Sequence, residues 1–200
     1  SMAQHLHSRP RHTPRFLLRP FRRRDVGPMH DAVRASLPEL ELWLPWAVGY
    51  DRSVAQRFVR DSASAWAEGR AFDFAIRLPD EPDLHVGNVS IWPTSAVNKI
   101  GEIGYWVRSD LNGEGIGTEI TARTIQIGFE ELGFHKIALR IAVGNERSDR
   151  IAKHLGFSFD GTLRHEVKVR DTWLDHTAWS LLDDEWPGVR ASLQSEGVLQ

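Results

Sequence analysis

The chain has 200 residues, a formal net charge of −2 and no cysteine. This is the size of one ordinary domain, and its charge balance gives no overall drive toward nucleic acid or an anionic membrane. Without cysteine, disulfides, thiolate metal sites and a cysteine nucleophile are excluded, so any thioester chemistry must take its sulfur from a cofactor.

Hydrophobic residues at 41% and charged residues at 26% fit a folded globular chain. No run of about 18 apolar residues is available to span a bilayer, so no membrane partner is expected. Ser1-Met2 reads as a cloning remnant, and with no signal-peptide pattern after it a cytoplasmic location is expected. Residues 1–12 read as a flexible tail, 13–187 as a single domain and 188–200 as a second tail. Arg9, Arg11, Arg15, Arg19, Arg22, Arg23 and Arg24 crowd the start. A solvated tail and strand edge is preferred there to an RNA-binding arm, whose affinity would fall steeply with salt. His5, His7 and His12 have no carboxylate at ligand spacing, so no metal is expected.

Arg15 to Pro20 reads as a short strand ended by proline. Asp25 can cap a helix over about 26–36, which Pro38 would close. Leu42-Trp43-Leu44-Pro45-Trp46 reads as an aromatic loop, and Asp51 or Ser53 starts a second helix that ends near Gly69. Phe72, Phe74, Ile76 and Leu78 alternate as in a half-buried strand. Residues 79–83 turn, and Leu84 to Trp92 returns. The apolar phase slips around Gly87-Asn88, which predicts a bulge. In the next strand, Ile100 to Arg108, Ile103, Tyr105 and Val107 share one face, and Glu102, Gly104 and Trp106 the other.

Leu111-Asn112-Gly113-Glu114-Gly115-Ile116-Gly117-Thr118 then opens a helix over about 115–132. Glycines at alternate positions bare the amides at a helix start, where unpaired N–H groups and the helix dipole favour an anion. Apolar residues surround most of this helix, so it is buried on more than one side. A strand over Ile137 to Val143, a short helix over Ser148 to Leu155 and two final strands complete the order. Together these elements predict one α/β (α+β) domain.

The glycine loop is not a dinucleotide fingerprint: Thr118 stands where the third glycine would be, and no acidic residue ends the following strand. It is not a Walker loop either, because no lysine follows the glycines. Asn112-Gly113-Glu114-Gly115-Ile116-Gly117 instead resembles the [QR]-x-x-G-x-[GA] signature of the GNAT N-acetyltransferase superfamily, with Asn112 departing at the first position. Asn145-x-x-Ser148 followed by Leu155-Gly156-Phe157 is similar to that family's next segment. The match is closest to the RimJ/RimL branch, through Phe16 to Pro20, Trp43 to Trp46, Gly101 to Val107, Gly161 to Arg164 and Asp184-Glu185-Trp186.

This resemblance implies a mixed sheet of about seven strands, splayed between the fourth and fifth and flanked by about four helices. It implies acetyl-CoA as co-substrate, with its pyrophosphate on the amides of Gly113, Glu114, Gly115, Ile116, Gly117 and Thr118. An amide near Trp106 or Val107 would polarise the thioester, and Asn145 would contact the pantetheine arm or cap its helix. Glu102 is the first candidate base, since burial beside Trp106 would raise its pKa; Glu166 and His165 compete. Ser148 is the candidate proton donor to the leaving thiolate. Trp46 and Trp92 could line an acceptor pocket, although core packing explains either ring as well. The implied acceptor is a primary amine, on a protein N-terminus or a small molecule. The resemblance also admits a homodimer. Transfer of a larger acyl group such as succinyl, helped by Arg108 or Arg164, and a non-catalytic CoA-binding regulator are the alternatives.

Overall fold

The computed structural model describes residues 4–200. In chain order the elements are β1 (Arg11–His12), β2 (Leu17–Pro20), α1 (Val26–Trp43), α2 (Arg52–Glu68), β3 (Phe72–Leu78), β4 (Glu81–Ser95), β5 (Ile100–Val107), α3 (Ile116–Gln126), β6 (Lys136–Ala142), α4 (Glu146–His154), β7 (Ser158–Val169), β8 (Thr172–Leu182) and α5 (Trp186–Ser195). The strands form one sheet in the order β1-β2-β3-β4-β5-β6-β8-β7. All neighbours are antiparallel except β5 and β6, which run parallel.

The parallel pair is the feature that makes a site. β5 and β6 are paired only from Ile100↔Lys136 to Ile103↔Leu139. Beyond Ile103 the β6-facing edge of β5 has no partner strand, and the sheet opens. The alternation read from the sequence sorts the two faces. Phe72, Phe74 and Ile76 of β3, Ile103 of β5 and the isoleucines of α3 form one core cluster. Ala75 of β3 and Trp106 of β5 join Met29, Val33 and Val59 of the α1–α2 pair in the other.

Several expectations need correction. The sheet has eight strands rather than about seven, and five α-helices rather than about four flank it, because both presumed tails are folded on. In the N-terminal segment Leu6 is buried in the main core and Arg11 is 1% exposed. At the other end α5 and the residues after it bury Leu193 and Leu199. The segment around residues 11–15 covers the polar stripe of α3. Thr13 Oγ1 donates to Glu119 Oε2 at 2.5 Å, Arg15 Nε to Glu119 Oε1 at 2.8 Å, and Arg123 Nε to the His12 carbonyl at 3.1 Å. Arg11 adds a bond to Glu131 Oε1 at 2.7 Å. A helix buried all round therefore keeps its charges because the N-terminal segment pairs with them, which overturns the solvated reading for Arg11; Arg19 is buried too, against Asp25.

Asp25 does not cap by its side chain, and Pro38 does not end α1 but lies inside it. The Asp25 carboxylate instead accepts from both terminal nitrogens of Arg19 at 2.7 and 2.8 Å, from Arg77 Nη2 at 2.7 Å and from the Arg22 amide at 2.7 Å. Arg77 continues to His85, which contacts Asn88. The expected bulge lies one residue early: Ile76 pairs Gly87 but Arg77 pairs His85, so Val86 is the extra residue. Gly87 is required there, since a Cβ would stand 2.1 Å from the Trp106 carbonyl oxygen. Asp51 caps α2 as expected, accepting from the Val54 amide, and Gly69 ends it at φ 71°.

Tyr50 stands out within the second core cluster. Its hydroxyl is buried with no hydrogen-bond partner among the described residues, and burial, with Asp51 nearby, pushes its pKa up to about 12. An unsatisfied buried hydroxyl costs about 1–3 kcal/mol. Tyr50→Phe is therefore expected to stabilise the fold by about 1 kcal/mol, read as a higher midpoint in thermal or urea unfolding.

Candidate active site

The loop before α3 forms a cradle of free amides. The Leu111 and Asn112 amides donate back to the Arg108 and Ser109 carbonyls; the next amide so engaged is that of Glu119, bonded to the Gly115 carbonyl at 3.1 Å. The amides of residues 113–118 between them have no acceptor among the described residues, as expected for a loop that runs into a helix start. Gly113 and Gly115 sit at φ 85° and 75°, where an L side chain is strained. Gly117 is there for packing: a Cβ would meet Ile151 Cδ1 at 2.9 Å and Tyr105 Cε2 at 3.3 Å.

A cavity of about 330 Å³ lies over this cradle. Trp106, Val107, Gly113, Gly115, Ile116, Gly117, Thr118, Asn145 and Ser148 all line it. Glu114 does not; it is exposed and contributes only backbone. Sequence reasoning missed a cationic stripe on the same wall. Arg147, Arg150 and His154 line the cavity from α4, at the i, i+3, i+7 spacing of one helix face. That spacing was the signal available, but the helix read from the sequence began at Ser148 and left Arg147 outside it. Glu39 of α1 closes the mouth, bonded to Arg147 at 2.5 Å and to Asn112 Nδ2 at 2.7 Å. Free amides at a helix start together with clustered cations suit a phosphate-bearing ligand, so the residues present fit the pyrophosphate of CoA.

Two side chains meet where the cavity reaches the sheet opening. Tyr105 Oη donates to Ser148 Oγ at 3.1 Å. Burial raises the Tyr105 pKa above its ordinary value, against a smaller lowering by the Ser148 bond, so it remains a neutral donor. Asn145 Oδ1 accepts from the Ser148 amide at 3.4 Å and caps α4. The Arg108 amide bonds across to Val86 of β4. Alternation along β5 then turns the Val107 and Tyr105 amides toward the opening and the Trp106 amide toward β4. Of the two amides named as carbonyl-polarising candidates, only that of Val107 faces the gap.

On the opposite face of the sheet lies a second cavity of about 410 Å³, lined by Trp46 and Trp92 among others. Leu44, Tyr105 and Trp106 line both cavities, so the two meet at the opening in the sheet.

Glu102 lines neither cavity. It shares the Gly104–Trp106 face and is half-buried beside Arg140 of β6, 3.9 Å from Arg140 Nε. Burial raises its pKa; Arg140 lowers it, and Glu166 raises it further. Arg140 binds Glu166 more closely, at 3.0 Å. Glu166 lies within a β7 register break, next to His165, which takes φ 49° and stacks on Trp173 at the surface. His176 of β8 completes the group; burial lowers its pKa, with Glu166 raising it and Arg140 lowering it. Arg140 and His176 were not foreseen, since their shared face depends on the β6–β8 register. The described residues contain no group of three or more potential metal ligands.

This architecture, a mixed sheet opened beside a glycine cradle at a helix start, is that of an acyl-CoA-binding transferase fold. The family model described as acetyltransferase (GNAT) domain matches residues 15–158, and the chain belongs to that family. Its relatives place it in the RimJ/RimL branch. A Mycobacterium smegmatis RimJ structure in complex with CoA-disulfide is 27% identical, with a TM-score of 0.83 over 92% of this chain and 90% of that one. The ribosomal-protein-serine acetyltransferase of Escherichia coli (strain K12) is 23% identical over 147 residues, 71% of this chain and 80% of that protein. YdaF of Bacillus subtilis (strain 168), provisionally named a ribosomal N-acetyltransferase, is 36% identical over 102 residues. That match spans 51% of this chain and only 56% of YdaF's length.

Proposed function

We propose that the protein is an acetyl-CoA-dependent N-acetyltransferase in which a primary amine attacks the thioester directly. The observation that carries this reading is the meeting of two unlike cavities at Tyr105 and Trp106, where β5 loses its partner strand. One offers amides and cations, and the other aromatic rings. Acetyl-CoA supplies an activated acyl group and the sulfur that this chain lacks. The amides of residues 113–118 hold its pyrophosphate, with Arg147, Arg150 and His154 positioned for its remaining phosphate charge. The Val107 N–H polarises the carbonyl. Ser148 Oγ accepts from Tyr105, which leaves the serine proton free for the departing sulfur.

Glu102 takes the proton from the acceptor ammonium, through water since it lines neither cavity. Arg140 lies closer to Glu166 than to Glu102, and burial raises the Glu102 pKa. Its pKa is raised, so the acid limb of the rate profile rises as pH climbs through a value above the ordinary carboxylate range. Glu102→Gln is expected to abolish that limb in a kcat/KM–pH profile, and Glu166→Gln to keep it. The reverse result would make Glu166 the base.

Named relatives suggest a protein N-terminal amine as acceptor, alongside small amines. Acetyl is favoured over succinyl because Arg108, one of the two basic residues considered for a second carboxylate, is tied to Asp110 by two 3.1 Å bonds. The decisive experiment is thiol release from acetyl-CoA and succinyl-CoA against a panel of amines and N-terminal peptides. The cysteine-free chain adds no thiol background. CoA binding without thiol release from any pair would make the protein a CoA-binding regulator instead.

A further inference from the structure

The second cavity is walled almost entirely by carbon. Met29 and Val33 of α1, Val54 and Phe58 of α2, and the rings of Trp46 and Trp92 enclose it. Among the described residues no Asp, Glu, Lys or Arg side chain lines it. Its amide and serine side chains are already engaged. Asn88 Oδ1 accepts from His85 Nε2 at 2.5 Å, since His85 Nδ1 faces the Arg77 guanidinium, and Asn88 Nδ2 donates to Met29 Sδ at 3.6 Å. Ser90 Oγ donates to Asp73 Oδ1 at 2.5 Å. A second ammonium or a row of hydroxyls entering this chamber would lose water and meet one free hydroxyl, that of Tyr50, too few to replace it. An apolar substituent would gain by burial there.

The chamber opens onto the cofactor groove at Leu44, Tyr105 and Trp106. An amine held at that junction must send its substituent into the chamber or out to solvent. Gly104 shapes the wall: a Cβ there would stand 3.2 Å from Trp92 Cη2, so its absence lets the indole lie against β5. The volume of about 410 Å³ is within the range of small-molecule sites.

We propose that the acceptor is a primary amine bearing a bulky, neutral, apolar or aromatic substituent, an inference that rests on the N-acetyltransferase reading. A phenylalanine- or leucine-type side chain next to the amine fits the chamber; a polyamine, an amino sugar or a serine-type N-terminus does not. In the transfer the amine nitrogen bonds to the acyl carbon as the carbon–sulfur bond breaks. The electron pair leaves with sulfur, which takes a proton, and the nitrogen loses one.

The test compares phenylalaninamide, leucinamide, serinamide and spermidine in the acetyl-CoA thiol-release assay. The two apolar amides are expected to exceed serinamide and spermidine by at least about tenfold in kcat/KM. Equal or better turnover of serinamide or spermidine would overturn the proposal. Val54→Trp, which fills the chamber from α2, is expected to erase that preference and leave the acetyl-CoA Kd unchanged. A preference that survives Val54→Trp would show that the selectivity arises elsewhere. If no amine is acetylated, the N-acetyltransferase reading fails by itself, and product-like amides then test the chamber alone. Quenching of tryptophan fluorescence at least about tenfold tighter with N-acetylphenylalaninamide than with N-acetylserinamide would uphold it; equal binding would overturn it.

Discussion

Ser148→Ala is expected to lower kcat by about 10²-fold or more while the Kd for acetyl-CoA stays near that of the unmodified protein. The serine lines the groove where it meets the sheet opening, and its oxygen receives the Tyr105 hydroxyl at 3.1 Å. Its proposed role is to give a proton to sulfur, a need that arises only as the carbon–sulfur bond breaks. An interaction made only in the transition state lowers kcat and kcat/KM together. Tyr105→Phe removes the group that orients the serine and is expected to cause a smaller loss in the same direction. Steady-state kinetics with calorimetric binding of acetyl-CoA separates these outcomes from a folding defect. If Ser148→Ala keeps wild-type kcat, the departing thiolate is protonated by water or another group.

Asp25→Ala is expected to destabilise the fold by about 3–5 kcal/mol. The cost comes from what is left behind: Arg19 at 6% exposure and Arg77 at 2% would lose the carboxylate between them. Burial alone would raise the Asp25 pKa. The bond from Arg19, the Arg22 amide and the charges of Arg77 and Arg19 outweigh burial and hold it below the ordinary carboxylate range. A carboxyl with a depressed folded pKa contributes stability that is fully present above its unfolded pKa and is lost as pH falls through the folded one. The gap between wild type and Asp25→Ala in urea denaturation should therefore be full at neutral pH and narrow only at strongly acid pH. A gap under about 1 kcal/mol at pH 7 would place Asp25 among ordinary surface pairs. Arg77 contacts His85, which bonds Asn88 and packs on the Trp106 ring at 5.5 Å, so the same variant is also expected to loosen the wall of the proposed acceptor chamber.

Much of this architecture was legible before any coordinates. The alternation of Phe72 to Leu78 and of Ile103 to Val107 assigned strands and faces, because side-chain direction in a strand depends only on parity. Gly113 and Gly115 marked the anion cradle for a similarly local reason: their φ values suit glycine, and a helix start leaves its amides free wherever it sits. The phase slip near Gly87 showed that a bulge was needed, but the pairing of β3 with β4 decided that Val86 was the extra residue.

Other features were not local. The Arg-rich start looked like a solvated tail because nothing within it reveals that Glu119 and Glu131, more than a hundred residues later, would be its partners. Asp25 looked like a cap because its neighbours suit one; two buried arginines from β2 and β3 claimed it instead. Glu102 was placed on the right face, but Arg140 and His176 joined it only through the registers of β6 against β5 and β8.

The sequence by itself determined the strands and the two faces of β5, the glycine cradle and, through its signature, the family, since these depend on parity, local backbone freedom and short spacing. Only the tertiary structure decided the second cavity, because it is assembled from α1, α2, β4 and β5, which lie far apart in the chain. Which atoms remain free to meet a substrate depends on every contact the folded chain has already made.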